Sequence, residues 1–291
     1  MKVVALALAG LLLWATQAQA LQITDDRGVQ VKLARAPQRI VSLFPSLTET
    51  VCQLGQCRRL VGVDRYSNFP DSVRGLPQVG GGLDPSIEAI VALRPDLVLM
   101  ATSSRGAAQL QALGIPVAAL QPRSHADVHR MLEQVGTLLE VPPVETQRIW
   151  REVEAGLGAA KRAVPAHLRG TRVYIEVNAG PYAASEASFI GETLARLGLR
   201  NVVPGALGPY PKLNPEFVVR ADPDLIIVGD SNAAAMAGRP GWSGLRAIRA
   251  QHVCAFAPQQ SDVLVRAGPR LAEGAQLVVQ CLVDKFGERQ P

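Results

Sequence analysis

Aromatic residues are scarce in this chain of 291 residues: phenylalanine, tryptophan and tyrosine make up 4% of it, against 48% for hydrophobic residues as a whole. The core must therefore be aliphatic, and an aromatic side chain in a loop calls for a reason of its own. Basic charge is not concentrated either. The formal net charge is +5, falling to +4 without Lys2, and no block of like charge occurs, which argues against a nucleic-acid surface. Beyond residue 20 no apolar run is long enough to span a bilayer. There is no G-x-S-x-G elbow and no phosphate-binding loop, and the glycines at 80–82 lack the spacing of a dinucleotide fingerprint. His167 and His252 sit in unpromising contexts for a catalytic base, so the chain is read as a non-enzyme. Neither C-x-x-C nor H-E-x-x-H occurs; His125 and His129, four apart on a predicted helix, read as a solvated helix face rather than as metal ligands.

What is present begins with an export signal. Lys2, an apolar run from Val3 to about Trp14, and Ala18-Gln19-Ala20 make a secretory signal peptide over residues 1–20, cleaved near Ala20. The residue after the cut is Leu21, not a cysteine, so lipid anchoring there has no support. Export to an oxidising compartment makes disulfides the expectation for the four cysteines, and three pairings are possible. Cys52–Cys57 and Cys254–Cys281 are favoured, because Gly55 can end a helix and let the chain fold back.

The remaining residues read as two α/β lobes. Strands are expected at 38–44, 60–64, 96–101 and 115–121, with helices after Pro45, over 84–93 and from His125 to Glu140. The helix at 84–93 takes Asp84 as its N-cap and Pro85 as its first residue. From Pro142-Pro143 to Pro165 the chain is helical without interruption, and strand and helix then alternate again to about Phe286. The expected architecture has a lobe at 21–140, a connecting helix at 141–166 and a second lobe at 167–291. Each lobe has a central, mainly parallel sheet.

One unit is written twice. EAIVALRPDLVL at 88–99 and EFVVRADPDLII at 216–227 share Glu, Val, Pro, Asp and Leu in register, and exchange Ile, Val and Leu at three further places. Glu88 and Glu216 therefore occupy matched positions, although Glu88 lies four residues after its expected cap and Glu216 only two after Asn214.

The stretches RIVSLFPSLTET, LVGVDRYSNFP and GGLDPSIEAIVALRPDLVL resemble the periplasmic substrate-binding proteins of ABC importers for cobalamin, haem and ferric siderophores. The resemblance covers nearly the whole exported chain and is most specific in its first hundred residues. It implies the class III, helical-backbone fold, with a periplasmic monomer and no catalysis. It implies no cofactor of the protein's own. The spacing is most similar to cobalamin binders, which makes cobalamin the implied ligand, with haem or a ferric siderophore as alternatives. On the matching positions Tyr66, Tyr182, Tyr210, Asp262 and Arg266 would line the interlobe cleft, and Tyr66 or Tyr182 could ligate a haem iron. Arg65, Arg105, Arg266 and Arg270 are the candidates for an anionic chelate. Glu88 and Glu216 would dock onto a dimeric inner-membrane permease with its ATPase subunits. The chain departs from the pattern at Gly80-Gly81-Gly82-Leu83, where cobalamin binders carry a tryptophan. A single helix across the hinge implies little movement on binding.

Overall fold

The computed structural model describes residues 21–287 apart from 179–180, 230–232, 234–235 and 237. The signal peptide lies outside the described residues. The chain opens with an antiparallel pair, β1 (Leu21–Thr24) and β2 (Gln30–Leu33), to which the sequence analysis assigns no structure. The first lobe follows: β3 (Ile40–Ser42), α1 (Pro45–Gln53), β4 (Leu60–Val63), α2 (Ile87–Ala92), β5 (Leu97–Met100), α3 (Ala107–Ala112), β6 (Val117–Ala119) and α4 (His125–Leu138). Its sheet is parallel, in the order β4-β3-β5-β6, and Ile40, Val41 and every residue of β5 are fully buried. Helices cover both faces, so these strands carry apolar side chains on either side instead of alternating.

α5 (Pro143–Ala163) leads to the second lobe: β7 (Arg172–Asn178), β8 (Tyr182–Ala183), α6 (Phe189–Arg196), β9 (Arg200–Asn201), α7 (Pro215–Ala221), β10 (Leu225–Gly229), α8 (Arg246–Arg249), β11 (Val253–Phe256), α9 (Pro258–Val265) and α10 (Leu271–Phe286). Strands β11, β10, β7 and β9 are parallel neighbours, and β8 adds an antiparallel edge to β7. The order β9-β7-β10-β11 repeats β4-β3-β5-β6, so the two lobes are copies at the level of topology.

At 1.5 Å per residue, the 21 residues of α5 span about 30 Å. Thr146, Ile149, Val153, Leu157 and Ala160 form its buried stripe, at the spacing an amphipathic helix requires. Two glycines let its neighbours come close. A Cβ on Gly136 of α4 would stand 2.5 Å from Thr146, and one on Gly156 would stand 2.6 Å from Ala272 of α10. One apolar cluster consequently runs from Leu47 and Leu97 through Ile149 and Leu157 to Leu194, Leu225 and Val278, crossing from lobe to lobe through α5. The disulfides Cys52–Cys57 and Cys254–Cys281 tie α1 to the turn after it and β11 to α10.

The repeat is closer in structure than the sequence suggests, and the expected cap is corrected. Ser86 caps α2, accepting from the Ala89 amide, and the helix begins at Ile87. Asp84 and Pro85 are still extended: Pro85 bridges to Gly80, and the Ser86 amide bonds the Val79 carbonyl. In α7 the cap is Asn214 and Pro215 comes first. Glu88 and Glu216 are therefore both the second residue of their helices. Six residues on, Arg94 and Asp222 both take left-handed backbone, with φ of 47° and 40°. The carbonyls freed at these turns meet one device in each lobe. Arg39, just before β3, donates to the Leu93 and Arg94 carbonyls, and Arg172, opening β7, donates to those of Ala221 and Asp222. Asp96 and Asp224 close the ring, each accepting from the backbone at its own arginine. Arg172 is only partly exposed, whereas Arg39 is exposed. Arg172→Ala is expected to lower stability by about 1–2 kcal/mol and Arg39→Ala by less. Urea denaturation of the two variants checks the order.

Candidate functional site

Both sheets point the carboxyl ends of their strands at the interlobe cleft, where open α/β sheets place their ligands. The cleft has two chambers. The first, of about 460 Å³, lies against the first lobe and is mainly apolar, bordered by Leu43, Phe44 and Tyr66 among others. The second, of about 430 Å³, lies against the second lobe and is more polar, with Glu176, Asn178 and Ser261 on its wall. Asp262 and Val265 border both, so the chambers are the two halves of one cavity.

Tyr66 stands 60% exposed at the first chamber, and so does Leu83, at 64%, in the loop where the expected tryptophan is missing. Tyr182 and Tyr210 border neither chamber, but the fold brings their segments together. Ala183 and Ser185 bond the carbonyls of Pro211 and Pro209, and Tyr182 bridges to Lys212. Tyr182 is also the partner of Asn178 across β7 and β8, which places this aromatic pair of segments beside the second chamber.

Asp262 and Arg266 reach the cleft, but both are already engaged. Arg266 is 7% exposed and donates to Glu49, to the Asn68 side chain at 2.9 Å, and to the Tyr66 carbonyl at 2.8 Å. Asp262 lies 2.8 Å from Arg266 and accepts from Asn68. Glu49, on α1 and 3% exposed, also takes a two-pronged bond from Arg270, whose guanidinium lies 3.9 Å from the centre of the Phe69 ring. The Tyr-Ser-Asn-Phe loop of one lobe is thereby pinned by the α9–α10 elbow of the other. Sequence reasoning missed Glu49 and Asn68, since nothing local marks a partner 217 residues away. Asp64 anchors the same loop, accepting from the Tyr66 amide and the Ser67 hydroxyl; burial raises its pKa above the ordinary carboxylate value, with these hydrogen bonds opposing.

The four arginines weighed for an anionic chelate divide in the same way. Arg65 pairs with Asp84 at 2.5 Å in an exposed ion pair, and Arg266 and Arg270 share Glu49. Arg105 is exposed, and its amide donates to the Gly82 carbonyl. In the second lobe, Glu176 is gripped by Arg239 through two bonds of 2.6 and 2.8 Å and accepts from Tyr174.

The expectation of a solvated face at His125 and His129 is corrected. His125 is 2% exposed and bridges the lobes: its amide donates to Glu192 and its ring meets Thr193 at 2.8 Å and Arg196 at 3.0 Å. Burial lowers its pKa, with the Glu192 carboxylate opposing. His129 stacks on Trp150 with centroids 4.6 Å apart. Among the described residues no cluster of three or more His, Cys, Asp or Glu could hold a metal ion, and no helix is long and apolar enough to cross a membrane.

Two lobes, a bridging helix and a divided cleft find their counterpart among known proteins. The family model described as "Periplasmic binding protein" matches residues 40–259. The chain belongs to the periplasmic binding protein family. It is similar to an uncharacterized ABC transporter substrate-binding lipoprotein of Bacillus subtilis, 28% identical over 278 residues, covering 91% of this chain and 87% of the relative. It is also similar to a vitamin B12-binding protein of Pectobacterium atrosepticum, 27% identical over 256 residues, covering 85% and 89%. Among solved structures, the ligand-free periplasmic haem-binding protein of Roseiflexus sp. RS-1 superposes with a TM-score of 0.74 at 26% identity, covering 85% of this chain and 98% of that one.

Within this member of the family, Glu49 is the residue on which the interlobe contact turns. Removing it leaves two guanidinium groups facing each other in a buried setting. Glu49→Ala is expected to cost about 3–5 kcal/mol, measured by denaturant unfolding. A loss below 1 kcal/mol would mean that the arginines reach solvent without it.

Proposed function

We propose that this protein captures cobalamin, or a closely related corrinoid, in the interlobe cleft and delivers it to an inner-membrane ABC permease with its ATPase subunits. The observation that carries the reading is the cavity itself. It is one cleft with a mainly apolar half, where Tyr66 stands exposed, and a more polar half, beside which the segments of Tyr182 and Tyr210 are paired through Asn178. A large, rigid ligand with a flat face and a fringe of amides suits such a pair of surfaces, since aromatic side chains supply contact area at little entropic cost. The vitamin B12-binding relative, which this chain matches along most of its length, supports the same choice. Capture without turnover is the role in keeping with a cleft whose acids and bases are tied up in structural ion pairs.

A second reading has its own observation. Tyr66 offers an exposed phenol at the first chamber, and a tyrosine can ligate ferric haem. The haem-binding structural neighbour gives this reading weight. Against it stands the engagement of Arg266, which Glu49 and Asp262 already hold and which is therefore not free to pair with the propionates of haem.

Delivery rests on the duplicated surface. Glu88 and Glu216 are exposed, both in the second position of matched helices, and Glu216 has only a loose neighbour in Arg220 at 3.8 Å. A permease dimer presents two equivalent basic sites, and two copies of one acidic helix start would engage both. Exposed charges of this kind set register and encounter rate more than affinity.

Titration calorimetry of the exported chain with cyanocobalamin, haemin and a ferric hydroxamate tests the ligand. Tight one-to-one binding of cyanocobalamin is expected; heat from haemin alone would move the assignment to the second reading. The docking role predicts that the double variant Glu88→Lys, Glu216→Lys abolishes uptake and keeps the ligand affinity of the parent within about two-fold. Loss of ligand binding in that variant would refute it.

A further inference from the structure

His125 opens α4 in the first lobe and is 2% exposed, and both of its ring nitrogens are satisfied by α6 of the second lobe. Those partners fix which nitrogen carries the proton. A guanidinium has only N–H donors, so Nδ1, 3.0 Å from Nη1 of Arg196, offers its lone pair and is unprotonated. The proton therefore sits on Nε2 and is donated to the Thr193 hydroxyl at 2.8 Å. Thr193 can accept it, because its own O–H goes to the Phe189 carbonyl at 2.9 Å. The neutral ring thus completes a directed chain across the lobe boundary, from Arg196 to His125, from His125 to Thr193, and from Thr193 to the backbone of α6.

A further proton does not fit this arrangement. On Nδ1 it would set one N–H against another and bring two positive charges into contact. The residue also stands at the positive end of a fourteen-residue helix, which disfavours a cation there. The charged groups on the elements packed around the ring divide. On α6, Arg196 opposes the proton and Glu192 favours it, with Oε1 3.8 Å from Nδ1. At that distance the ring must shift to reach Glu192, and the shift gives up Arg196. On α5, Glu154 also favours the proton, but both of its oxygens accept from Arg196. On α4 itself, Asp127 is turned to the Arg123 and Ser124 amides and to Arg130, and His129 stacks on Trp150 one turn away. Burial and Arg196 together outweigh the two carboxylates, and the pKa of His125 lies below the ordinary value.

We propose that His125 is a proton-sensitive latch between the lobes. Neutral, it joins α4 to α6; protonated, it releases Arg196 and the two helices part at this point. His125 borders neither chamber of the cleft, so the latch does not depend on which ligand is bound. The Glu49 contact remains, so acid loosens the lobes without separating them.

The sign of the pH dependence follows from the lowered pKa. The unfolded chain takes up the proton near pH 6.5 and the folded one only below it. His125 therefore contributes fully above about pH 6.5, and its contribution is lost as the pH falls. Nuclear magnetic resonance of the exported chain should show Nδ1 unprotonated at about pH 7.5 and a His125 titration midpoint below about 6.5. A proton on Nδ1 at the higher pH, or a midpoint at or above 6.5, would overturn the proposal. His125→Gln keeps a donor and an acceptor but does not titrate. Between about pH 7.5 and 5 the urea midpoint should fall further in the parent than in this variant, and parallel curves would overturn the latch. Amide exchange in α6, corrected for its intrinsic pH dependence, should quicken about three-fold or more in acid in the parent and stay level in the variant. The same rise in both would assign the step to other groups and sink the idea. Arg196→Met serves where the glutamine variant does not fold. Without the guanidinium the His125 midpoint should rise, and an unchanged midpoint would count against the latch.

Discussion

One carboxylate, that of Glu49, holds two guanidinium groups from the opposite end of the chain, and the geometry of the cleft depends on that contact. Arg266 and Arg270 stand on either side of the elbow between α9 and α10, and both reach into the first lobe. Arg266 goes on to bond Asn68 and the Tyr66 carbonyl, so the backbone that carries the exposed tyrosine is fixed by a residue of the other lobe. Asp262, which closes the network, is also one of the two residues, with Val265, that border both chambers. Burying three charged groups together is costly in desolvation, and a well-packed apolar contact could be as stable. What the ion cluster adds is direction: five bonds at defined angles set where the Tyr66 loop lies against α9.

The same pinning bears on movement. Behind the cleft an unbroken apolar cluster passes through α5, and away from it His125 ties α4 to α6 by its amide and its ring. The lobes are held by the bridging helix and by polar contacts at two separate places. A cleft fixed in this way is largely formed before the ligand arrives, so less ordering has to be offset by binding. It also follows that the lobes cannot separate widely while Glu49 keeps both arginines.

Local signals made the fold legible and left much of the cleft hidden. The parallel strands were readable because burial on both faces makes them continuous aliphatic runs, as in Leu97–Met100. The repeat was readable because its proline and aspartate mark the same turn in both lobes. The cap of α2 was not, since Asp84-Pro85 and Ser86 are equally good starts by residue type. Pairing of Pro85 with Gly80 and of Ser86 with Val79, decided by the neighbouring loop, keeps Asp84 and Pro85 extended. Tyr66 was singled out through the resemblance, and it stands at the first chamber. Arg266 was found but its partners were not: its contacts lie about two hundred residues away, and sequence spacing carries no trace of them. His125 was misread for the same reason, its burial being supplied by α6 of the other lobe.

The way the two lobes agree and differ fits a protein with two unlike surfaces to serve. They agree at the start of α2 and α7, at the left-handed turns of Arg94 and Asp222, and in the arginine that receives each turn, Arg39 or Arg172. They differ at the cleft. The first lobe offers a loop pinned from across the gap, an uncapped helix start and an apolar wall, and the second offers an extra edge strand at Tyr182 and a carboxylate locked by Arg239. A dimeric permease would meet the matched helix starts, where symmetry is useful because it allows one pair of contacts to be made twice. A corrinoid has no such symmetry, with a planar ring on one side and an uneven fringe of amides, and a cleft of two identical halves would suit it poorly. Duplication retained outside and lost inside is what the two proposed roles would require of one chain.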